Sequence, residues 1–112
     1  MNITPLVRRF FESRVRTIQT FAHEAETIQR GVLQRLLRQA APTLWGEQYA
    51  FAQLRGYEDF AERVPRTDYE SLKDHIDRMR RGESSILWPG KVRWYAKSSG
   101  TTNDKSKFIP IT

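Results

Sequence analysis

Residues 92–112 read VRWYAKSSGTTNDKSKFIPIT, and this stretch decides how the chain folds at its C-terminal end. Two β-prone segments, residues 92–96 and 107–111, flank a loop rich in serine, threonine, glycine and asparagine. Two such segments joined by a polar loop predict an antiparallel β-hairpin. Because Pro110 has no backbone N–H, we expect its strand to be short or to lie at a sheet edge.

The loop inside the predicted hairpin carries the groups that a phosphate-binding loop requires. Backbone N–H groups that can turn inward, hydroxyl donors and a cation together bind phosphate oxygens, and Gly100 lets the backbone approach closely. The candidate phosphate-binding residues are Ser98, Ser99, Gly100, Thr101, Thr102, Asn103 and Lys105, with Lys107 as the candidate catalytic residue. An ordinary polar hairpin loop of the same composition is the alternative.

A Walker A loop is excluded by the residues around Lys105. That motif places a glycine directly before Lys-Ser and a helix directly after it. Here Asp104 precedes Lys105 and Ser106, and a segment containing Pro110 follows.

The first third of the chain predicts a long amphipathic helix. Apolar side chains recur three or four positions apart over residues 6–40. We expect a break near Gly31 or within residues 17–20. The apolar stripe is wider than a two-stranded coiled-coil seam. If the rest of a larger domain normally covers it, the stripe should be partly exposed in this chain alone.

Shorter elements are expected over residues 41–90. Residues 43–46 predict a turn or short connector, and residues 49–60 an amphipathic piece that Gly56 interrupts. Residues 86–88 are expected to be extended.

One further helix has clear signals at both of its ends. Thr67, followed three residues later by Glu70, predicts a capping box. Gly82 predicts a left-handed C-terminal cap. The expected fold class is therefore α+β: a mainly helical N-terminal region that ends in a β-hairpin.

The composition and charge of the chain limit the classes of protein to which it can belong. The net charge is +6. Basic and acidic residues alternate along the chain, which is typical of solvated helix faces and not of a nucleic-acid-binding stripe. No apolar run approaches the ~20 residues of a membrane span, and residues 1–5 lack the apolar core of a secretory signal. The chain has no cysteine. We therefore expect no nucleic acid or membrane partner, no metal site and a cytoplasmic location.

The remaining candidate side chains favour structural roles. His23 and His75 have no second metal-ligand type at useful spacing, so we expect them to be structural or exposed. The carboxylate pairs of residues 24/26 and 58/59 do not share a helix face as an acid–base pair would. The three tryptophans are expected to be buried against other elements.

The loop resembles the phosphate-binding motif of adenylate-forming enzymes, the luciferase and acyl-ligase superfamily. The run Ser98-Ser99-Gly100-Thr101-Thr102, followed by Lys107 and Pro110, is similar to that of the Gretchen Hagen family of auxin-responsive acyl-acid amido synthetases, including its bacterial members. There a paired serine opens the motif, a basic residue falls at the Lys107 position and a proline follows. Plant members usually carry a glycine where this chain has Asp104.

The resemblance extends upstream to residue 33, in a consistent order and spacing; residues 1–32 fit only as generic helix. The matching segments are residues 43–46, 49–51, 57–60, 64–65, 69, 81–84 and 86–90.

The resemblance implies that residues 1–112 are the N-terminal part of one adenylate-forming domain, roughly the first fifth of a longer protein. Its implied parts are a helical segment (1–40), helices and connectors (41–90) and the hairpin with its phosphate-binding loop (91–112). The implied activity is ATP-dependent: a small carboxylic acid is adenylated and then transferred to an amino acid, with Mg²⁺ on the phosphates. The chain alone is expected to be inactive, because the remainder of its own domain is missing.

Two other functions are compatible with the residues. One is a small basic helical interaction module without catalysis, which would bind an acidic partner with strong salt dependence. The other is a nucleotide-binding regulatory domain that transfers no acyl group.

Overall fold

Helix α1 spans Thr4–Ala40 in the computed structural model, which describes residues 4–99 and 106–112. The chain divides into two compact units, residues 1–33 and residues 34–112. Within the first unit the apolar stripe is largely exposed, as expected: 81% of Leu6, 76% of Phe10 and 70% of Ile18 is accessible.

The break in α1 lies at Glu24 and not at the positions expected from the sequence. Glu24 has the non-helical backbone angles φ −123° and ψ 24°. The hydroxyls of Thr17 and Thr20 donate to the carbonyls of Ser13 and Arg16, each at 2.9 Å, and both residues lie within the helix. Gly31 is also helical, so the prediction of a break near residues 17–20 or Gly31 is wrong.

In the second unit, Thr43 joins the end of α1 to a short helix α2, Leu44–Gln48. Thr43 is fully buried. Its hydroxyl donates to the Ala40 carbonyl at 2.6 Å and accepts from the Gly46 N–H at 3.0 Å. One side chain therefore satisfies an acceptor left over by α1 and a donor left over by α2. Residues 43–46 were expected to form only a turn or connector; this cap makes them the start of a helix.

A 3-10 turn and helix α3 follow. The 3-10 turn spans Phe51–Gln53, preceded by Ala50 in the left-handed region at φ 51°. Helix α3 spans Tyr57–Arg63. Gly56 separates the two elements, which confirms that it interrupts the amphipathic piece.

Helix α4 spans Tyr69–Arg80, and its N-cap is Asp68 instead of Thr67. The Asp68 carboxylate accepts from the Ser71 N–H at 2.8 Å, and the Ser71 hydroxyl accepts from the Asp68 N–H at 3.0 Å. The capping box is thus Asp68 with Ser71, one residue later than expected. Aspartate caps at least as well as threonine and adds a negative charge at the positive end of the helix dipole.

The C-terminal end of α4 is a Schellman motif, as Gly82 predicts. Gly82 has φ +96°. Its N–H donates to the Met79 carbonyl at 3.0 Å, and the Glu83 N–H donates to the Arg78 carbonyl at 3.2 Å.

Residues 85–90 form a closed loop and not the expected extended segment. The Ser85 N–H donates to the Gly90 carbonyl at 2.9 Å, and the Gly90 N–H donates to the Ser85 hydroxyl at 3.0 Å. The carbonyls of Ser85 and Ile86 accept from the N–H groups of Leu44 and Trp45 at 2.9 and 3.0 Å. The backbone carbonyls of this loop thus satisfy donors at the start of α2 instead of pairing with a strand.

The core of the second unit lies where these elements meet. The apolar side chains buried there are Leu37, Ala40, Phe51, Leu54, Ile76, Met79 and Ile86.

The chain ends in the expected antiparallel hairpin. Strands β1, Trp94–Lys97, and β2, Phe108–Ile111, pair with Trp94 opposite Ile111 and Lys97 opposite Phe108. One face is apolar and exposed: Trp94 is 75% accessible and Ile111 52%. Burial of Trp94 was therefore a wrong expectation, because its side chain points to the hairpin face opposite α4.

Alanine substitutions should have opposite effects on stability at Gly46, which lies at the contact between α1 and α2, and at Gly31, which lies away from it. A Cβ on Gly46 would overlap the Ala40 carbonyl oxygen and lie 2.8 Å from the Ala41 carbonyl oxygen, whereas a Cβ on Gly31 meets nothing within 4 Å. Gly46→Ala should cost about 3 kcal/mol of unfolding free energy. The control, Gly31→Ala, should stabilise its helix by about 1 kcal/mol. Urea unfolding followed by circular dichroism measures both, and equal effects would contradict the packing described.

Candidate functional site

The two ends of the candidate phosphate-binding loop meet where the hairpin ladder stops. The Ser98 N–H donates to the Lys107 carbonyl at 2.9 Å, and the Lys107 N–H donates to the Ser98 hydroxyl oxygen at 3.2 Å. The second contact uses an oxygen lone pair, so the hydroxyl hydrogen can still donate to a ligand. The pairing brings together the first and last of the candidate residues.

Five of the candidate residues lie outside the part of the chain that the structure describes. These are Gly100, Thr101, Thr102, Asn103 and Lys105. Ser98, Ser99 and Lys107 are described. The structure therefore describes the base of the loop, and the roles of all eight candidate residues remain predictions.

Helix α4 contacts the hairpin at this base through Tyr69. The Tyr69 hydroxyl accepts from the Phe108 N–H at 2.9 Å. The Lys107 Nζ lies 5.6 Å from the centre of the Tyr69 ring, within the range of a cation–π interaction. Nothing in the sequence pattern indicated this contact.

A second contact joins α4 to the same strand. The Arg80 guanidinium carbon lies 3.6 Å from the centre of the Phe108 ring, and the Lys97 Nζ lies 6.0 Å from it. Lys97 and Phe108 are paired across the ladder. Arg80 of α4, Lys97 of β1 and Lys107, which directly precedes β2, therefore lie near aromatic rings at this end of the hairpin, and Arg80 also lies 3.6 Å from the Asp77 carboxylate. The excess of positive charge favours an anionic ligand.

The pKa values of Asp68 and Tyr95 are both shifted by their surroundings at this end of the hairpin. Hydrogen bonds from the Ser71 N–H and the Ser71 hydroxyl lower the pKa of Asp68 below its usual 3.8, and the charge of Lys107 lowers it further. Burial raises the pKa of the Tyr95 hydroxyl above its usual 10.0. Among the described residues the Tyr95 hydroxyl has no hydrogen-bond partner.

The two histidines occupy positions that fit structural roles. His75 packs edge-on against Trp45, with ring centres 5.3 Å apart, and His23 lies exposed in α1. Over residues 4–99 and 106–112, no group of three or more histidine, cysteine or acidic side chains could hold a metal ion. In the same residues, none of the helices is long and apolar enough to cross a lipid bilayer.

Comparison with known proteins gives one family match that covers most of the chain. The family model, described as the GH3 family N-terminal domain, matches residues 14–112. No solved structure gives a significant match.

The curated relatives are plant amido synthetases. The chain is 34% identical over 107 residues to the indole-3-acetic acid-amido synthetase GH3.17 of Arabidopsis thaliana, covering 90% of this chain and 17% of that protein. It is 29% identical over 102 residues to the probable indole-3-acetic acid-amido synthetase GH3.7 of Oryza sativa subsp. japonica, covering 85% and 16%. It is 29% identical over 120 residues to the jasmonoyl-L-amino acid synthetase JAR6 of Nicotiana attenuata, covering 99% and 20%. The chain therefore spans a fifth or less of the length of these relatives.

The cap of α4 predicts a pH-dependent contribution to stability. Since the folded-state pKa of Asp68 is depressed below 3.8, the ionised carboxylate stabilises the fold above that pH, and the contribution is lost as the pH falls through the folded-state pKa. Asp68→Asn should lower the free energy of unfolding at pH 7, and the difference from wild type should shrink below about pH 4. Denaturant titrations between pH 2.5 and 7 measure this. Asp74→Asn removes a carboxylate from the same helix without touching the cap, and an identical pH profile for both variants would contradict the role of Asp68.

Proposed function

Since the chain belongs to the GH3 family, we propose that it is the N-terminal part of an ATP-dependent acyl-acid amido synthetase. Residues 1–112 form the start of one adenylate-forming domain, with the helical segment (1–40), the helices and connectors (41–90) and the hairpin (91–112) as its parts. The names of the relatives, amido synthetases for indole-3-acetic acid or jasmonate, support this class of reaction. The proposed substrates are ATP, a small carboxylic acid and an amino acid, and the proposed location is the cytoplasm.

The observation that carries the proposal is the pairing of Ser98 with Lys107 at the base of the hydroxyl-rich loop. The pairing closes the loop at its base, and phosphate binding by such a loop requires backbone N–H groups that turn inward. The two hydrogen bonds of this pairing use backbone atoms and one serine hydroxyl. The Lys107 side chain is therefore available for a ligand while its backbone holds the loop closed.

In the proposed reaction, a carboxylate oxygen of the acid attacks the α-phosphorus of ATP, and pyrophosphate leaves. The amine of the amino acid then displaces AMP, so that an amide bond forms. Activation is needed because oxide is a very poor leaving group, whereas AMP leaves readily.

The loop residues have distinct proposed roles. Gly100 and the backbone N–H groups of residues 99–103 surround the β- and γ-phosphates. The hydroxyls of Ser98, Ser99, Thr101 and Thr102 donate to phosphate oxygens, and Asn103 contributes its backbone N–H. Lys105 and Lys107 offset the charge of the departing pyrophosphate, and Mg²⁺ bound with ATP would supply further positive charge there. Prearranged donors of this kind contribute roughly 3–4 kcal/mol each to the transition state in a closed site.

The charges that the structure describes around the base of the loop support these roles. Lys107 lies beside a neutral ring, Arg80 lies over Phe108, and Lys97 is paired with Phe108 across the ladder. These cations would draw a polyanion towards the open end of the hairpin.

Replacing Lys107 tests the proposed function directly. In the full-length protein, Lys107→Ala should lower kcat for acid-dependent ATP–pyrophosphate exchange by about 100-fold, because a charge that stabilises the leaving pyrophosphate is lost. The KM for the acid should change little. Lys91→Ala, which removes an exposed lysine just before β1, is the matched control and should retain wild-type exchange. Unchanged exchange in Lys107→Ala, or equal losses in both variants, would overturn the proposal.

A further inference from the structure

We propose that Tyr69 is a positioning residue for Lys107: its hydroxyl holds the N–H of the adjacent Phe108, and its ring holds the ammonium group of Lys107. This inference rests on the proposed function and names a residue that acts on the phosphate site from outside the loop.

The first contact fixes the backbone next to Lys107. Residues 69 and 108 are far apart in sequence, and the hydroxyl–amide distance of 2.9 Å joins them directly in a part-buried position. The Phe108 N–H points away from β1, at an edge of the two-stranded sheet, and would otherwise lack a strand partner. The Tyr69 hydroxyl supplies that acceptor, so the start of β2 is held by β1 on one side and by Tyr69 on the other.

The second contact orients the side chain. The Lys107 Nζ lies 5.6 Å from the centre of the Tyr69 ring. The face of the aromatic ring attracts the ammonium group without removing its charge. The lysine is therefore restricted in direction and still able to attract a phosphate.

Tyr69 is itself firmly placed. It is the first residue of α4, directly after the Asp68 cap, and its side chain is half-buried. A site residue supported by a helix is held more accurately than one supported only by its own loop. The neighbouring Asp68 adds an attraction to Lys107, which contributes to the lowered pKa of that carboxyl group.

A double-mutant cycle in the full-length protein separates positioning from general stabilisation. Tyr69→Leu should lower kcat for ATP–pyrophosphate exchange by about tenfold, because a misplaced group loses much of its effect, with little change in the KM for the acid. Tyr69→Phe keeps the ring and should lose only about threefold. In a Lys107→Ala background, Tyr69→Leu should have almost no further effect, since there is no ammonium left to position.

Tyr57 provides the matched control. It is the first residue of α3, as Tyr69 is of α4, and it is 68% exposed. Tyr57→Leu and Tyr57→Phe should retain wild-type exchange. Equal losses for Tyr69→Leu with and without Lys107 would mean a purely structural role and would overturn the inference.

A measurement that does not depend on activity completes the test. In full-length protein labelled with ¹³C-lysine, the ring of Tyr69 should shift the side-chain resonances of Lys107. Tyr69→Leu should move these resonances, while Tyr69→Phe and Tyr57→Leu should leave them in place. Resonances that do not respond to Tyr69→Leu overturn the inference whatever the activity. Wild-type protein without exchange activity overturns the proposed function and the inference with it.

Discussion

The pairing of Ser98 with Lys107 is the contact on which the candidate site depends. It closes the ladder between β1 and β2 and brings together the two ends of the loop at residues 99–106. Closing a loop costs conformational entropy, and here the strand pairing beyond it offsets that cost. Without the pairing, the two ends of the loop would not be held together.

The hairpin in turn depends on helix α4. An isolated two-stranded hairpin is at best marginally stable in water, and this one is supported by Tyr69 at the start of α4 and by Arg80 at its end. Both residues act on Phe108, the first residue of β2. Helix α4 is held in its own right by the Asp68 cap, the Schellman motif at Gly82 and the core around Ile76 and Met79.

Most features set by local sequence were predictable, although two local positions were wrong, and features set by distant contacts were not predictable. The hairpin and the end of α4 at Gly82 follow from turn-forming residues and strand propensity. The cap of α4 was misplaced by one residue because Thr67 and Asp68 are both good caps. The break in α1 was misplaced because it lies at Glu24, and glutamate is a good helix former that gives no signal of a break. The contact of Tyr69 with Phe108 joins residues far apart in the chain, and no periodicity reveals such a pair.

The site could likewise be predicted only in part. The serines, threonines, glycine and lysines of the loop predict phosphate binding, and this stays a prediction. The cations that α4 and β1 add at its base follow only from packing, since Arg80 and Lys97 look like ordinary surface residues in the sequence. Burial of Trp94 was expected from its size, but the hairpin turns this residue away from α4.

Titration of the full-length protein with MgATP, followed through the amide resonances of Lys107 and Phe108 in ¹⁵N-lysine- and ¹⁵N-phenylalanine-labelled samples, tests the central claim most directly. A loop that surrounds the β- and γ-phosphates predicts saturable shifts of both resonances with MgATP and much smaller shifts with AMP, which lacks those phosphates. Resonances that stay in place as MgATP is added, or that respond equally to AMP, would contradict it.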